Sequence, residues 1–166
     1  MKRIVLFSIL ALIVSAFTFS AQAKKKEKYE FRYEIAPVGV GTQGSALIKV
    51  FSYAKKEKDA LELAKPNAVH GVLFKGIVGG NGVSPQPALV KPADYEKNKE
   101  FFDNFFDNGS FQQFVSLSSD GTIAPKDRVK VGKLYKIGVI VSVNKDALRA
   151  YLEEAGVIKK LGGGIF

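Results

Sequence analysis

The histidine of this chain and the glycines that follow it are the residues whose types and spacing point most directly to chemistry. His70 is the only histidine, and it lies within residues 67–83, NAVHGVLFKGIVGGNGV, together with five glycines: Gly71, Gly76, Gly79, Gly80 and Gly82. A histidine can serve as a general base, a pH switch or a metal ligand. A glycine-rich loop can hold an anion on its backbone N–H groups when it opens a helix. Both hypotheses depend on what surrounds the stretch.

His70 lacks the companions that catalysis or metal binding would need. The chain has no cysteine, so a metal at His70 would need carboxylate ligands from elsewhere in the sequence. A serine nucleophile is not indicated, because no G-x-S-x-G segment occurs. On a helix that continues to Leu73, His70 projects with Asp59 and Leu63, which predicts a partly solvated side chain paired with an acid of the same helix. We therefore predict no catalytic residue, no metal site and no cofactor, and keep His70 as a candidate ligand- or partner-binding residue.

The glycines match neither of the common phosphate-binding motifs. A P-loop needs G-x-x-x-x-G-K-[ST], and a dinucleotide loop needs G-x-G-x-x-G at the start of a helix. Here GIVGGNGV leads into prolines, so no helix N-terminus faces an anion. We expect a flexible surface loop. Because a long loop in a compact domain is either functional or mobile, four of its residues are candidate ligand- or partner-binding positions: Gly79, Gly80, Asn81 and Gly82.

The elements that position these residues follow from hydrophobic periodicity. Residues 29–54 indicate two strands separated by the turn GTQG, with Pro37 at a sheet edge or a bulge. Apolar residues at helical spacing indicate a helix over 55–73, either kinked at Pro66 or made of two short coaxial pieces. The following VLFKGIV is typical of a short buried strand, and residues 79–92 form the loop.

The second half of the chain predicts further helices and strands. Residues 93–107 indicate an amphipathic helix, SFQQFVSLS a strand and SDGT a turn. DRVKVGKLYKIGVIVSVN indicates two strands or one long bent strand, and Asn144 caps a last helix. The resulting order, roughly β-β-α-β-α-β-β-α, predicts an α+β fold in which about three helices pack on a mainly antiparallel sheet.

Four acids form a row on the helix over residues 93–107, opposite its aromatic side: Glu96, Glu100, Asp103 and Asp107. Carboxylates bind calcium, but one straight helix cannot wrap them around an ion. We predict a solvated face, whose negative charge on a basic protein could orient a partner.

The N-terminus predicts export. MKRIVLFSILALIVSAFTFSAQA has two basic residues, an apolar run and a final A-x-A, which is the order of a secretory signal peptide. The A-x-A pattern favours cleavage after Ala23 over retention as a membrane anchor. We predict a signal peptide over 1–23, a basic disordered segment over 24–28, one α+β domain over 29–161 and a flexible tail over 162–166. The protein is then periplasmic or secreted, with no stable membrane insertion after cleavage.

The charge balance favours anionic partners. The whole chain has a formal charge of +9, and from Lys24 onward 23 basic residues face 16 acidic ones, a charge of +7. Outside the cytoplasm such a protein meets lipid headgroups and acidic polysaccharide. Nucleic acid is not expected, because no basic run is interleaved with aromatic residues. At the C-terminus, Ile165 and Phe166 offer an apolar carboxyl end that a groove could capture, or a tail that folds back on the core.

Two segments carry a resemblance to a known group of proteins. DALELAKPNAVHGVLF and YKIGVIVSVNKDALRAYLEEAGV resemble the small α+β domains of secreted envelope proteins, such as the N-terminal domain of flagellar assembly protein T and related Helicobacter-type lipoproteins. The general pattern is also similar to secreted proteins of the Bacteroides type. The chain departs from the lipoproteins because it has no cysteine to acylate. The resemblance implies a non-enzymatic assembly or binding role in the envelope, and it transfers no catalytic residue.

We therefore expect a non-enzymatic exported protein that binds another envelope component, in an assembly or structural role. The expected partner is an envelope protein or an anionic polysaccharide. The alternative is a binding protein for an anionic glycan or a small ligand, and a hydrolase that uses His70 is a third hypothesis.

Overall fold

The computed structural model of the protein describes residues 29–42, 44–118 and 122–160. Within these residues an antiparallel sheet is combined with helices, so the predicted α+β class is confirmed. The strands are β1 (Tyr33–Val40), β2 (Ser45–Ala54), β3 (Val115–Leu117), β4 (Arg128–Val131) and β5 (Leu134–Asn144). The helices are α1 (Glu57–Glu62), α2 (Ala64–Phe74), α3 (Pro92–Lys97), α4 (Lys99–Asp107) and α5 (Lys145–Glu154). Two short 3₁₀ helices lie at Ser110–Phe114 and Pro125–Asp127.

The long strands β2 and β5 form the centre of the sheet. They pair from Ser45↔Asn144 to Ala54↔Tyr135, and β1 pairs with the other side of β2. The short strands β3 and β4 both pair with β5, at 141–143 and 134–137 respectively, so together they form its outer edge. The register of β1 shifts between Pro37 and Gly39. The predicted edge or bulge position of Pro37 is therefore confirmed, as expected for a residue without an N–H donor.

The core lies on one face of the sheet. Side chains alternate along a strand, and the strand residues of the core in the described residues all share one face: Tyr33, Ala46, Ile48, Val50, Val115, Ile137, Val139, Val141 and Val143. The helices pack against this face, with Leu148 and Leu152 of α5 fully buried. The opposite face contributes no residue to this core.

The predicted helix over 55–73 is two helices, α1 and α2, that meet at Leu63. Pro66 lies in the first turn of α2, where the missing N–H costs no helical hydrogen bond. The predicted strand VLFKGIV is wrong, because its first three residues end α2 and Ile77 makes only an isolated bridge with Gln86. Its apolar run reflects a helix that is buried on nearly every side, and such a run cannot be distinguished from a buried strand by periodicity.

The remaining predictions are partly confirmed. The helix over 93–107 is interrupted at Asn98, and the strand in SFQQFVSLS is limited to β3 because a 3₁₀ helix precedes it. Residues 119–121 of the predicted turn SDGT lie outside the described residues. Asn144 caps α5 as predicted, since its side-chain oxygen accepts a hydrogen bond from the Ala147 N–H at 3.0 Å. None of the helices in the described part of the chain is both long and apolar enough to span a membrane.

Candidate functional site

His70 is half-buried, so the predicted partial solvation is confirmed, but its neighbours are aromatic rings. Its ring stacks on Phe31, with 3.8 Å between the ring centroids, and meets Phe74 at 4.8 Å. Its Nδ1 lies 2.6 Å from the hydroxyl of Tyr33. The predicted pairing with an acid of the same helix is therefore wrong. The break at Leu63 separates Asp59 from the helix of His70, and the segment before β1 brings Phe31 over the imidazole.

The imidazole is uncharged at neutral pH. Burial, with a smaller contribution from the positive charge of Lys75, lowers the pKa of His70 to about 4. Burial also raises the pKa of Tyr33, so its hydroxyl keeps its proton and can donate to Nδ1. Lys75 itself lies over the Tyr33 ring, 4.0 Å from the centroid. A base with so low a pKa is poorly matched to proton transfer near pH 7.

A hollow of about 110 Å³ opens beside His70. It is called the aromatic hollow below, and its lining residues are Tyr29, Phe31, His70, Phe74, Tyr95, Phe102, Asp103, Phe106 and Asp107. The acidic row on α3 and α4 is therefore divided. Glu96 and Glu100 are exposed as predicted, whereas Asp103 and Asp107 are half-buried and line the hollow. A second hollow, of about 330 Å³, adjoins it and shares His70, Phe74 and Tyr95.

The second feature is the sheet face that the α-helices of the described residues leave uncovered. The side chains called the open face below are Arg32, Glu34, Lys49, Phe51, Tyr53 and Lys136. Phe51 lies against the backbone at Gly138, where an added Cβ would come within 2.6 Å of the ring. A glycine at this position therefore allows the ring to lie flat on the sheet.

Charged groups surround the two rings of the open face. The ammonium of Lys136 lies 2.7 Å from a carboxylate oxygen of Glu34, 4.8 Å from the Phe51 centroid and 5.6 Å from the Tyr53 centroid. The Tyr53 hydroxyl also donates to Glu34. Hydrogen bonds from Lys136 and Tyr53 lower the pKa of Glu34, and the bond to Glu34 raises the pKa of Lys136. Lys49 pairs with Asp127 at 2.7 Å.

The largest hollow described here lies at the end of the open face, where β1 begins and β2 ends. It measures about 490 Å³ and is lined by Tyr29, Glu30, Arg32, Tyr53, Ala54, Lys55, Leu63 and Leu134. The guanidinium carbon of Arg32 lies 5.3 Å from the centre of the Tyr53 ring. A planar cation against an aromatic ring, with an exposed lysine nearby, can receive a carboxylate or sulfate group.

The glycine-rich loop is held to the sheet. Gly80 and Val83 exchange backbone hydrogen bonds of 3.0 and 2.9 Å, so these two N–H groups bond within the loop and are not available to an anion. Asn81, with a φ of 52°, donates from its side chain to the Pro37 carbonyl at 2.9 Å. A hollow of about 240 Å³ separates Gly82 and the following residues from the β1–β2 turn. The residues Gly79, Gly80, Asn81 and Gly82 follow His70 closely in the sequence. They nevertheless belong to a different surface, because the hollow at Gly82 shares no lining residue with the hollows beside His70.

Several predicted features cannot be placed. Ile165 and Phe166, the predicted signal peptide and the basic segment over 24–28 lie outside the described residues. Within 29–42, 44–118 and 122–160, no group of three or more histidine, aspartate or glutamate residues is arranged to hold a metal ion.

The open face was missed by sequence reasoning, although a signal for it exists. On β2 the half-buried residues that alternate with the buried ones include Lys49, Phe51 and Tyr53, a pattern of basic and aromatic side chains at every second position. Phe31 and Tyr33 were also missed as neighbours of His70, because no spacing rule joins residues almost forty positions apart.

Comparison of the chain with protein-family models, with curated proteins and with solved structures found no match.

Proposed function

We propose that this protein is a non-enzymatic, exported protein that binds another component of the cell envelope, and that the open face is its binding surface. The observation that carries the proposal is the asymmetry of the sheet. Among the described residues, helices bury one face, while the other presents Phe51 and Tyr53 among cations on β2, a central strand of the sheet. Aromatic and arginine side chains on a rigid strand surface are typical of binding sites.

Two further features support the proposal. The N-terminal pattern of charge, apolar run and A-x-A favours export. An exported protein meets the components of the envelope as its available partners. Three of the four charges on the open face are already paired, through Glu34–Lys136 and Lys49–Asp127. Such pairs hold long side chains in fixed positions, so less conformational entropy is lost when a partner binds.

Site-directed photo-crosslinking tests this proposal. A photoreactive amino acid is placed at position 53 on the open face in one variant and at position 96, on the exposed side of α3, in a control. We expect irradiation in whole cells to give a discrete adduct from position 53 that the control does not give. The proposal is wrong if position 53 gives no adduct, or if both positions give the same adducts.

A second candidate is a binding protein for an acidic polysaccharide, and the hollow of about 490 Å³ favours it. Two cations of the open face are paired with acids, so Arg32 and Lys55 are the cations of this hollow that can meet a new anion, and they outnumber its one acid, Glu30. Tyr53 supplies an aromatic wall beside them, and an amphipathic ring of this kind combines apolar contact with hydrogen bonding.

Binding to polygalacturonate, with neutral dextran as the comparison polymer, tests the second candidate. We expect binding to polygalacturonate alone, weakening as salt is raised because the contact is ionic. Arg32→Gln should weaken it about tenfold, whereas Arg128→Gln should not, because Arg128 pairs with Glu57 away from the hollow. Equal binding of dextran, or equal loss in the two variants, would exclude this candidate.

A further inference from the structure

The short strand β4 carries exposed apolar side chains. Among the described residues three large apolar side chains are exposed, Val78 at 78%, Val129 at 47% and Val131 at 48%, and the last two lie on β4. Because Val129 and Val131 are two positions apart on a strand, their side chains share one side of the sheet. Exposed apolar groups that lie together among polar residues mark a contact site for a protein or a membrane.

The two valines lie on the same side of the sheet as the open face. Directly opposite residues of an antiparallel pair share one side of the sheet, and Val129 is opposite Lys136 of the open face, while Val131 is opposite Leu134. A two-residue turn joins β4 to β5, and its Gly132 has the positive φ, 60°, that such a turn favours. The valines therefore extend the open face along a well-defined hairpin.

The same hairpin is strongly basic. Residues 126–136, KDRVKVGKLYK, are called the basic hairpin below, and they include five basic residues and one acid. The acid and two of the cations form ion pairs with neighbouring elements. With the partners included there are six cations and three acids: Lys49, Lys126, Arg128, Lys130, Lys133 and Lys136, and Glu34, Glu57 and Asp127. These ion pairs therefore leave the hairpin with a positive charge beside its exposed valines.

We propose that the basic hairpin docks the protein on an anionic lipid surface. Its lysines contact the headgroup phosphates, and its valines enter the boundary between the headgroups and the acyl chains, where apolar groups leave water. Every residue from Arg128 to Lys133 is exposed, so the turn projects from the domain and can reach a flat surface. An acidic polysaccharide would match the charge but has no hydrocarbon phase for Val129 and Val131. An anionic bilayer matches both properties of the hairpin.

This inference adds a second contact with the envelope and does not rest on the first. It is measured with purified protein and lipid vesicles, whereas the test of the open face searches whole cells for an adduct at position 53. The residues that are changed to test it lie on β4, in the turn and at control positions, and none of them lines the aromatic hollow or the hollow at the end of the open face. Either proposal can therefore fail without the other.

The first experiment locates the contact. The chain has no cysteine, so Val131→Cys provides a single site for an environment-sensitive fluorophore. Val78→Cys is the matched control, because Val78 is an exposed valine that lines the hollow along β1, at the opposite edge of the sheet. Each labelled protein is titrated with vesicles of phosphatidylcholine, and with vesicles of equal parts phosphatidylcholine and phosphatidylglycerol. We expect a blue shift and brighter emission at position 131 with the anionic vesicles alone, because the fluorophore leaves water there.

Three results of this titration would overturn the proposal. The first is an unchanged spectrum at position 131 with anionic vesicles, and the second is an equal blue shift at position 78. The third is an equal blue shift at position 131 with vesicles of phosphatidylcholine alone. A blue shift at position 131 that soluble polygalacturonate produces and anionic vesicles do not would assign the hairpin to a polyanion, and would also overturn the proposal.

The second experiment changes the charge of the hairpin without a label. Lys130→Gln combined with Lys133→Gln should weaken sedimentation with the anionic vesicles about tenfold or more, because each lysine near an anionic surface contributes to binding. Lys97→Gln combined with Lys99→Gln removes the same charge from exposed positions on α3 and α4, and it should leave binding within about twofold. Equal losses in the two double variants would mean that overall charge alone drives binding, and would overturn the proposal.

A third variant tests the apolar part of the contact. Val129→Thr combined with Val131→Thr replaces a methyl group by a hydroxyl at each position and keeps the β-branched shape that favours a strand. It should weaken binding to anionic vesicles about threefold or more, because less apolar surface leaves water. Thermal unfolding checks that every variant is folded. Binding that is unchanged in this folded variant would mean that the valines do not enter the bilayer, and the proposed docking mode would be wrong.

Discussion

The two faces of the sheet are made by alternating residues of the same strands, yet they differ in almost every physical respect. On β2, Ile48 and Val50 are 1% and 0% exposed and lie in an aliphatic core, whereas Lys49 and Phe51 beside them lie on the open face. One face is dry and contacts helices, and the other carries rings and ion pairs. The comparison indicates that the helix-covered face contributes most of the stability, whereas the open face, which we propose as the binding surface, contributes less.

The largest expected difference between the two faces is in the cost of removing an apolar side chain. Ile48→Ala opens a cavity in the core and should lower the free energy of unfolding by about 3 kcal/mol. Leu47→Ala, one residue earlier on the half-buried open face, should lower it by less than about 1 kcal/mol because water can fill the space. Urea unfolding followed by circular dichroism measures both. Equal losses would mean that something as tightly packed as the helices covers the open face.

Acid titration distinguishes the two faces by their ionisable groups. Folding holds the pKa of His70 at about 4, below its ordinary value of 6.5, so the unfolded chain binds more protons between these values. The free energy of unfolding should therefore be fully maintained above about pH 6.5 and decline as the pH falls towards 4. The loss should be on the order of 2 kcal/mol, allowing for partial solvent screening of a half-buried ring.

The open face should respond at lower pH and more weakly. Its Glu34 has a pKa below the ordinary value of 4.5, so its contribution is present above that value and is lost only as the pH falls further. In a His70→Gln variant the decline between pH 6.5 and 4 should disappear while the change below pH 4.5 remains. If the decline between pH 6.5 and 4 persists without the histidine, another group is responsible for it.

Much of the fold could be predicted because it depends on local patterns. The alternation Ile137, Val139, Val141, Val143 identified the longest strand, and Asn144 identified the start of the last helix. Pro37 marked an edge strand because a residue without an N–H is excluded from the middle of a sheet. The strand predicted over VLFKGIV was wrong because its pattern, although local, is ambiguous. An apolar run of that length fits a helix that is buried on nearly every side equally well.

The candidate sites could not be predicted because their partners are far apart in sequence. Phe31 and Tyr33 contact the imidazole of His70 from far away in the sequence. The Glu34–Lys136 ion pair joins residues 102 positions apart. Only the pairing order β1-β2-β5 brings Glu34 and Lys136 to one face. The sequence could identify aromatic, basic and acidic residues, but which of them share a hollow is set by tertiary packing.

A buried polar pair between β2 and α2 tests whether water is excluded from the helix-covered face. Asn67 of α2 donates from its side-chain nitrogen to the Ser52 hydroxyl at 2.8 Å, and both residues are almost fully buried. Its side-chain oxygen has no hydrogen-bond partner among the described residues. Ser52→Ala should lower the free energy of unfolding by about 1–2 kcal/mol, because it leaves a second polar group of Asn67 unsatisfied.

The double variant Ser52→Ala with Asn67→Leu makes this test decisive. Replacing both partners by apolar groups of similar size removes the unsatisfied groups, so the double variant should be more stable than Ser52→Ala alone. Chemical denaturation of the four proteins in the cycle measures the coupling. A double variant that is less stable than either single one would mean that water reaches this pair.

The smallest expected effect on stability belongs to the ion pair at the centre of the open face. The Lys136 side chain is 24% exposed and the Glu34 side chain 56%, so solvent screens the 2.7 Å contact between them. Lys136→Gln and Glu34→Gln should each change the free energy of unfolding by less than about 1 kcal/mol, with a coupling near 0.5 kcal/mol that weakens at high salt.

If the open face is a recognition surface, Lys136→Gln should nevertheless reduce the crosslinked adduct at position 53, while Lys99→Gln on α4 should not. Such a residue contributes little to folding and strongly to recognition, unlike the residues of the helix-covered face. If Lys136→Gln lowered the free energy of unfolding and the yield of the adduct together, the two faces would not differ in this respect.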